Sequence, residues 1–197
     1  AAEANGGGVV FFPTANSGYR TQAALTIDAS NVRLQGGGRG AILLPVGNFD
    51  TIEINVGGST ELFGNGISDL FIVESNKTGG RALNARRVAQ LDIVRTQWDS
   101  GRDGNTFHDY NTVTLARVTM VSFVGDYYCQ LSGGGAADII EYGSELRSDV
   151  CRMYGCVFGG TFNLGTDGLI IDGFAHTLNL VNTAFVAPGG YGIQTRN

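Results

Sequence analysis

The chain has 197 residues, of which 43% are hydrophobic and 16% charged, and 31 of them are glycine. The apolar content excludes a disordered chain, and glycine without a G-X-Y period excludes collagen. The net charge of −5 disfavours nucleic-acid binding, which needs a basic face, and no apolar run approaches the roughly 20 residues that a bilayer span requires. We therefore expect a packed domain of short strands and turns that binds neither nucleic acid nor membrane.

The first 45 residues carry a recognisable succession of turns and strands. Residues 5–13 read NGGGVVFFP, and residues 31–40 read NVRLQGGGRG. This stretch resembles the opening coils of the pectate-lyase-like superfamily, where a short helix ends in a GGG-type turn, enters a VYFP strand and continues to a V-x-L-x-G-x-G strand. The resemblance implies a right-handed parallel β-helix. It also implies that Ala1 to Ala4 are the remnant of an N-terminal capping helix, which the glycines would terminate.

Farther along the chain, four segments superpose without gaps and each closes on a large aromatic residue. They are residues 88–98, 113–123, 148–158 and 175–185, and an earlier segment, 66–76, fits without the aromatic residue. Apolar and polar positions alternate with the period of two that is typical of strands with one buried face. Such units, separated by steps of 21 to 35 residues without a helical pattern, predict equivalent strands stacked in parallel as coils of a solenoid.

The superposition predicts which side chains lie above one another. Each inward residue meets its equivalent one coil away. The aromatic residues that close the segments would therefore stack on one another inside the solenoid and stabilise it through offset ring contacts. In the segment 66–76, Ile72 falls in the column of Ile93. The predicted internal ladder of closing aromatic residues is Trp98, Phe123, Phe158 and Phe185.

Membership of the pectate-lyase-like superfamily would imply a carbohydrate-active protein. The superfamily includes polysaccharide lyases, polygalacturonase-like hydrolases, uronan epimerases and phage tailspikes that bind and degrade bacterial surface glycans. The chain lacks the paired-aspartate and Gly-His-Gly signature of the polygalacturonases, the R-x-P-x-x-R of the pectate lyases and the YGFD motif of the epimerases. No catalytic residue is therefore carried over from the superfamily, because fold alone does not specify function.

The densest polar segment, residues 98–110, supplies the candidate catalytic carboxylates. The superposition places Asp126 above Gly101 and so near Asp99 and Asp103. Glycoside hydrolysis uses two carboxyl groups, about 5–5.5 Å apart for retention or 6.5–9.5 Å for inversion, and adjacent coils can supply either distance. The alternative is that these aspartates form Asx turns at coil corners. The predicted substrate contacts in and beside this segment are Arg102, His108 and Tyr127.

A second candidate site is an outward column in which the superposition places Asp92, Arg117 and Arg152 one coil apart. Asp92 can pair with Arg117, which leaves Arg152 to bind the carboxylate of an acidic sugar. By resemblance to the pectate lyases, Arg152 could instead act as the base of a β-elimination. The acidic net charge disfavours polyuronates and favours neutral glycans. Neither site has metal-ligand spacing, and we expect no metal and no cofactor.

These observations predict an all-β, single-stranded right-handed parallel β-helix over residues 1–197, with opening coils over 1–45 and repeated coils over 66–185. We expect it to be a fragment of a longer chain that binds and cleaves a microbial surface or extracellular polysaccharide, outside the cell or on a virion surface. The alternative is a non-catalytic structural β-helix of a viral spike, capsid fibre or adhesin. The last coil has no apparent cap, so a homotrimer or a further chain is expected to cover it.

Overall fold

Nearly every element that the structure describes is a β-strand, and all strand pairs except one small hairpin are parallel. This confirms the predicted all-β parallel β-helix. The computed structural model describes residues 2–73 and 80–99 and, beyond them, mainly the backbone of strand segments. These segments are 102–103, 106–107, 113–118, 120–124, 127–129, 138–141, 150–155, 157–159, 169–172, 178–186 and 193–196.

The described strands follow one another in seven coils. A 3-10 helix at Glu3–Asn5 precedes the first coil. In chain order the strands are β1 (Gly8–Phe12), β2 (Tyr19–Thr21), β3 (Leu25–Ile27), β4 (Val32–Gly36), β5 (Ile42–Pro45), β6 (Ile52–Ile54), β7 (Leu62–Ser68), β8 (Phe71–Val73), β9 (Leu83–Val94), β10 (Gln97–Asp99), β11 (Arg102–Asp103), β12 (Thr106–Phe107), β13 (Val113–Val118), β14 (Met120–Val124), β15 (Tyr127–Cys129), β16 (Asp138–Glu141), β17 (Val150–Tyr154), β18 (Val157–Gly159), β19 (Leu169–Asp172), β20 (Leu178–Val181), β21 (Ala184–Val186) and β22 (Ile193–Arg196).

Each coil contributes to three stacks of parallel strands. The first stack contains β1, β4, β7, the end of β9, β14, β17 and β20. The second contains β2, β5, β8, β10, β15, β18 and β21. The third contains β3, β6, the start of β9, β13, β16, β19 and β22. The hairpin of β11 and β12 is inserted between the second and third stacks of one coil.

The remnant of a capping helix is predicted at Ala1 to Ala4, and the structure has a short 3-10 helix at Glu3–Asn5 followed by a glycine turn. Gly6 ends the 3-10 helix in a left-handed conformation, with φ of 74°, and its N–H donates to the carbonyl of Glu3. In β4 the side chains of Val32 and Leu34 are buried, whereas the intervening Arg33 is exposed. This alternation places the apolar residues of the opening coils inside the solenoid.

The interior is filled by aliphatic side chains stacked on their equivalents in adjacent coils. Leu83, Leu91 and Ile93 are completely buried, and Trp98 is the largest of the fully buried side chains in the described part of the chain. Full burial of such a side chain stabilises the fold by about 1.5–3 kcal/mol relative to exposure. Over residues 27–98, the buried core therefore runs as a column through neighbouring coils.

The predicted aromatic ladder is correct at three positions and wrong at Phe123. That residue pairs with Ile93 in the first stack, and Tyr128 takes the predicted place. Ile72 likewise lies in the column of Trp98 and not in that of Ile93. The observed column in the second stack is Ile72, Trp98, Tyr128, Phe158 and Phe185.

Both errors are slips of five residues, and the corner between the first and second stacks explains them. The inward residues Ile93 and Trp98 lie five positions apart on either side of this corner, so a shift of five still matches apolar with apolar residues. Between them Arg95 adopts a left-handed conformation, with φ of 49°, which interrupts the alternation of the strands. The equivalent residues of other coils are also left-handed: Asp69, Gly155 and Asn182.

The packing at this corner predicts the effect of adding one methyl group. A Cβ at Gly36 would overlap the carbonyl oxygen of Asp69, and we expect Gly36→Ala to lower the free energy of unfolding by about 1–3 kcal/mol through overpacking. At Gly57 a Cβ meets no atom within 4 Å, so Gly57→Ala should stay within about 0.5 kcal/mol of the parent. Urea unfolding followed by circular dichroism measures both, and equal stabilities would contradict this close approach.

Candidate functional site

A groove of about 480 Å³ lies on the outside of the third stack. Its floor comes from neighbouring coils, with Thr26 of β3 in register with Glu53 of β6. Asp28 lies at one side, and the loop of residues 55–60 lines the other. We call this site, formed by residues 26, 28, 53 and 55–60, the acidic groove.

The loop that lines the groove is held from within by a buried amide. Asn55 is 3% exposed and left-handed, with φ of 55°. Its Nδ2 donates to the carbonyls of Thr60 at 2.8 Å and Arg87 at 3.0 Å. The Arg87 guanidinium in turn donates to the carbonyl of Gly58 at 2.7 Å. These bonds fix the loop before any ligand arrives, which lowers the entropy lost on binding.

The carboxyl group of Glu53 is surrounded by others of the same charge. Burial raises its pKa above the usual value, and the nearby charges of Asp50 and Asp28 raise it further. Asp50 is held in place, because its Oδ2 accepts a hydrogen bond from Asn84 at 2.7 Å and its Oδ1 accepts the backbone N–H of Arg81 at 2.8 Å. Glu53 therefore keeps its proton to higher pH than an isolated glutamate.

The helix at the start of the chain fixes the position of Asp28. The carboxylate of Glu3 accepts the backbone N–H of Asp28 at 2.7 Å, across 25 residues of sequence. Asp28 and Glu53 thus present two carboxyl groups from adjacent coils to one open groove. A pair of carboxyl groups, of which Glu53 has a raised pKa, can divide the roles of acid and base.

Sequence reasoning missed this groove because it compared only the repeated coils after residue 66. The runs Leu25-Thr26-Ile27-Asp28 and Ile52-Glu53-Ile54 each alternate apolar and polar residues. Aligning these two short runs with each other would have shown a polar outward position with carboxyl groups on neighbouring coils.

The structure describes only part of the predicted catalytic segment, and for that part only the strand positions. Asp99 is the last residue of β10, and Arg102 and Asp103 form β11 at the start of the hairpin. Asp126 and His108 lie outside the described residues. The catalytic roles assigned to this segment remain predictions.

The strand register removes the reason for placing Asp126 above Gly101. Tyr127 pairs with Gln97, whereas the superposition of the repeats pairs it with Arg102. This is the same five-residue slip that misplaces Phe123. The expected proximity of Asp126 to Asp99 and Asp103 therefore has no support from the register of the second stack.

The strand register aligns Asp92 and Arg152 in one column, as predicted, but it does not place Arg117 there. Ser122 lies between them in the first stack, in register with both. Arg117 belongs to β13 of the third stack, where the preceding Ala116 pairs with Arg86. The five-residue slip is again the cause, because it moves a strand of the third stack onto the first.

Asp92 pairs with Arg33, which lies two coils below it. The guanidinium nitrogen lies 3.0 Å from the Asp92 carboxylate, and the two side chains are 48% and 31% exposed. Gly66 occupies the intervening coil, and its missing side chain leaves room for the arginine to pass. An exposed pair of this kind contributes about 0–1 kcal/mol, so it orders the face more than it stabilises the fold.

Two classes of feature are not found in the described part of the chain. No group of three or more His, Cys, Asp or Glu side chains there is placed to hold a metal ion. None of the helices described there is long and apolar enough to cross a membrane.

Together, the stacked coils and the groove define a parallel β-helix with a carboxylate-lined outer cleft. A scan against protein-family models finds no match, and a search of curated proteins finds none either. Two similar solved structures are the A-module of mannuronan C-5 epimerase AlgE4 from Azotobacter vinelandii and ORF18 of Geobacillus virus E2.

Both solved structures share 14% identity with this chain, over 96% of its length. The epimerase module is matched over 72% of its length with a TM-score of 0.43. The viral protein is matched with a TM-score of 0.42, and this chain spans 54% of its length.

The raised pKa of Glu53 predicts a pH-dependent effect on stability. The folded state holds the proton of Glu53 more tightly than the unfolded state does. The free energy of unfolding therefore falls as the pH rises from the ordinary glutamate pKa through the higher pKa of Glu53 in the folded protein. Glu53→Gln should therefore stabilise the protein at pH 7 and have little effect at pH 4. Urea unfolding at both pH values measures this. Glu61→Gln, an exposed control outside the lining, should show no comparable difference, and an equal effect of the two variants would contradict the assignment.

Proposed function

We propose that this protein is a carbohydrate-active β-helix that binds a polysaccharide in the acidic groove and hydrolyses it. The observation that carries the proposal is the pair of carboxyl groups, Asp28 and Glu53, in one open groove, where the pKa of Glu53 is raised. A carboxyl group that retains its proton beside a second carboxyl group is the arrangement that glycoside hydrolysis needs.

In the proposed reaction, protonated Glu53 gives its proton to the glycosidic oxygen as the bond to the sugar carbon breaks. Asp28 acts on the other side of that carbon. It either removes a proton from the attacking water or forms a covalent bond to the sugar, which water then hydrolyses. The stereochemistry of the product distinguishes these two routes.

The lining of the groove supports a neutral sugar chain as the substrate. Thr26, Ser59 and Thr60 line the groove, and their hydroxyl groups can form hydrogen bonds with sugar hydroxyls. The carboxyl groups of the groove and the net charge of −5 would repel polyuronates.

The segment predicted from the sequence remains a second proposed catalytic set, with Asp99, Asp103 and Asp126 as its carboxylates. Its proposed substrate contacts are Arg102, His108, Arg117 and Tyr127. Arg152 remains the proposed base for an elimination reaction. Separate substitutions in the two sets distinguish them.

A structural role is the alternative, and exposed apolar residues on the first stack favour it. Val9 and Phe11 are each 56% exposed, and Val124, Tyr154 and Val181 are exposed farther along the same face. Apolar surface of this kind is typical of association. A spike, capsid fibre or adhesin, as a homotrimer or with a further chain, would use it for assembly. Either function would place the protein outside the cell or on a virion surface.

We expect the protein to release reducing ends from at least one member of a panel of neutral bacterial exopolysaccharides. Glu53→Gln should lower kcat by about 10²- to 10⁴-fold, because it removes the proton donor, and Asp28→Asn should lower kcat comparably. Glu61→Gln is the matched control and should retain the parent rate. Circular dichroism verifies that each variant is folded.

Three results would contradict the proposed mechanism. Activity lost in Asp99→Asn but not in Glu53→Gln would assign catalysis to the second set. Absorbance of unsaturated uronates that disappears in Arg152→Ala would indicate elimination. No turnover of any glycan, combined with a stable oligomer in sedimentation velocity, would favour the structural role.

A further inference from the structure

A smaller cavity of about 160 Å³ lies at the corner between the first and second stacks. Three successive coils contribute to its lining. Arg39 comes from one coil, Asp69 from the next, and Arg95 and Gln97 from the third. We call this cavity the corner pocket.

Asp69 is the one carboxylate among the described lining residues of the corner pocket, and both of its oxygens contact Arg95. Nε of Arg95 lies 2.6 Å from Oδ1 of Asp69, and a second nitrogen lies 2.8 Å from Oδ2. This two-pronged contact lowers the pKa of Asp69. The acid therefore stays ionised, and both of its oxygens already accept from Arg95.

Arg39 provides a second positive charge, and the described lining of the corner pocket holds no second carboxylate. Its loop is fixed beside Asp69, because the N–H of Gly38 donates to the Asp69 carbonyl at 3.2 Å and the N–H of Ala41 donates to Gly38 at 2.8 Å. Within the described ranges, no hydrogen bond or ion pair involves the Arg39 guanidinium. Among its described lining residues, the corner pocket thus carries two guanidinium groups and one carboxylate, within a protein of net charge −5.

We propose that the corner pocket binds one oxyanion group of a glycan, either the carboxylate of an acidic sugar or a sulfate ester. A planar guanidinium with several donors matches the oxygens of both groups. The pocket is smaller than the 300–1,000 Å³ or so that encloses a drug-sized ligand, so it fits one anionic substituent. This site is separate from the acidic groove and does not depend on hydrolysis there.

The position of Asp69 makes a sharp test possible. Its backbone is left-handed, with φ of 56°, a conformation that asparagine tolerates well. Asp69→Asn should therefore fold, while removing the carboxylate that competes with an incoming anion. If Asp69 had only a structural role, Asp69→Asn would not increase the affinity for the anion.

Isothermal titration with glucuronate, glucose 6-sulfate and uncharged glucose tests the proposal at low salt. The parent should bind at least one of the two anions and should not bind glucose. The anion that binds more tightly shows whether the corner pocket prefers a carboxylate or a sulfate ester. Arg39→Gln should weaken that binding at least ten-fold, and Asp69→Asn should tighten it several-fold. Arg20→Gln, an exposed arginine outside the pocket, should bind like the parent.

The proposal is overturned if neither anion binds, if Arg39→Gln binds like the parent, or if a folded Asp69→Asn binds more weakly. Added salt should weaken binding, since exposed charges are screened, and binding that is insensitive to salt would also count against it. The hydrolysis assay tests Glu53 in the acidic groove, whereas the titrations test Arg39 in the corner pocket. A protein without hydrolytic activity can therefore still bind the anion, and the two proposals can fail separately.

Discussion

In-register stacking of parallel coils is the constraint on which the rest of this structure depends. A residue that points inward must fit against its equivalents above and below, because its environment is made by neighbouring coils. This explains why one column of the second stack holds Ile72, Trp98 and Tyr128 in register. It also explains the repeated left-handed residue at one corner, since a turn in one coil must be matched by a turn in the next.

Residues on the outer surface are not bound by this stacking constraint. The acidic groove and the corner pocket both lie on that surface. An outward side chain is free to differ from its equivalents, as Thr26 and Glu53 do at the same position of adjacent strands. Chemistry therefore arises between coils, from residues that are close in space and about one coil apart in sequence. The corner pocket follows the same rule, because Asp69 and Arg95 occupy one corner position in neighbouring coils.

The sequence was sufficient for the fold and for most inward positions, because these repeat with a recognisable pattern. It was insufficient wherever the register between coils mattered. Apolar residues flank each corner five positions apart, so Phe123 could be exchanged with Tyr128 without disturbing the hydrophobic pattern. That slip moved Arg117 onto the wrong stack. The acidic groove could not be predicted without the register of β3 and β6, which brings Glu53 beside Thr26.

The two acidic residues with displaced pKa values show how position on the scaffold decides chemical role. Glu53 lies among carboxylates and is partly buried, so its proton is retained. Asp69 lies against a guanidinium, so its proton is lost more readily. The same protein can therefore present a carboxyl group with a raised pKa in one cleft and a carboxyl group with a lowered pKa in the other. Glu53 lies within a strand and Asp69 at a left-handed corner, and in both places residues from neighbouring coils help to set the direction of the pKa shift.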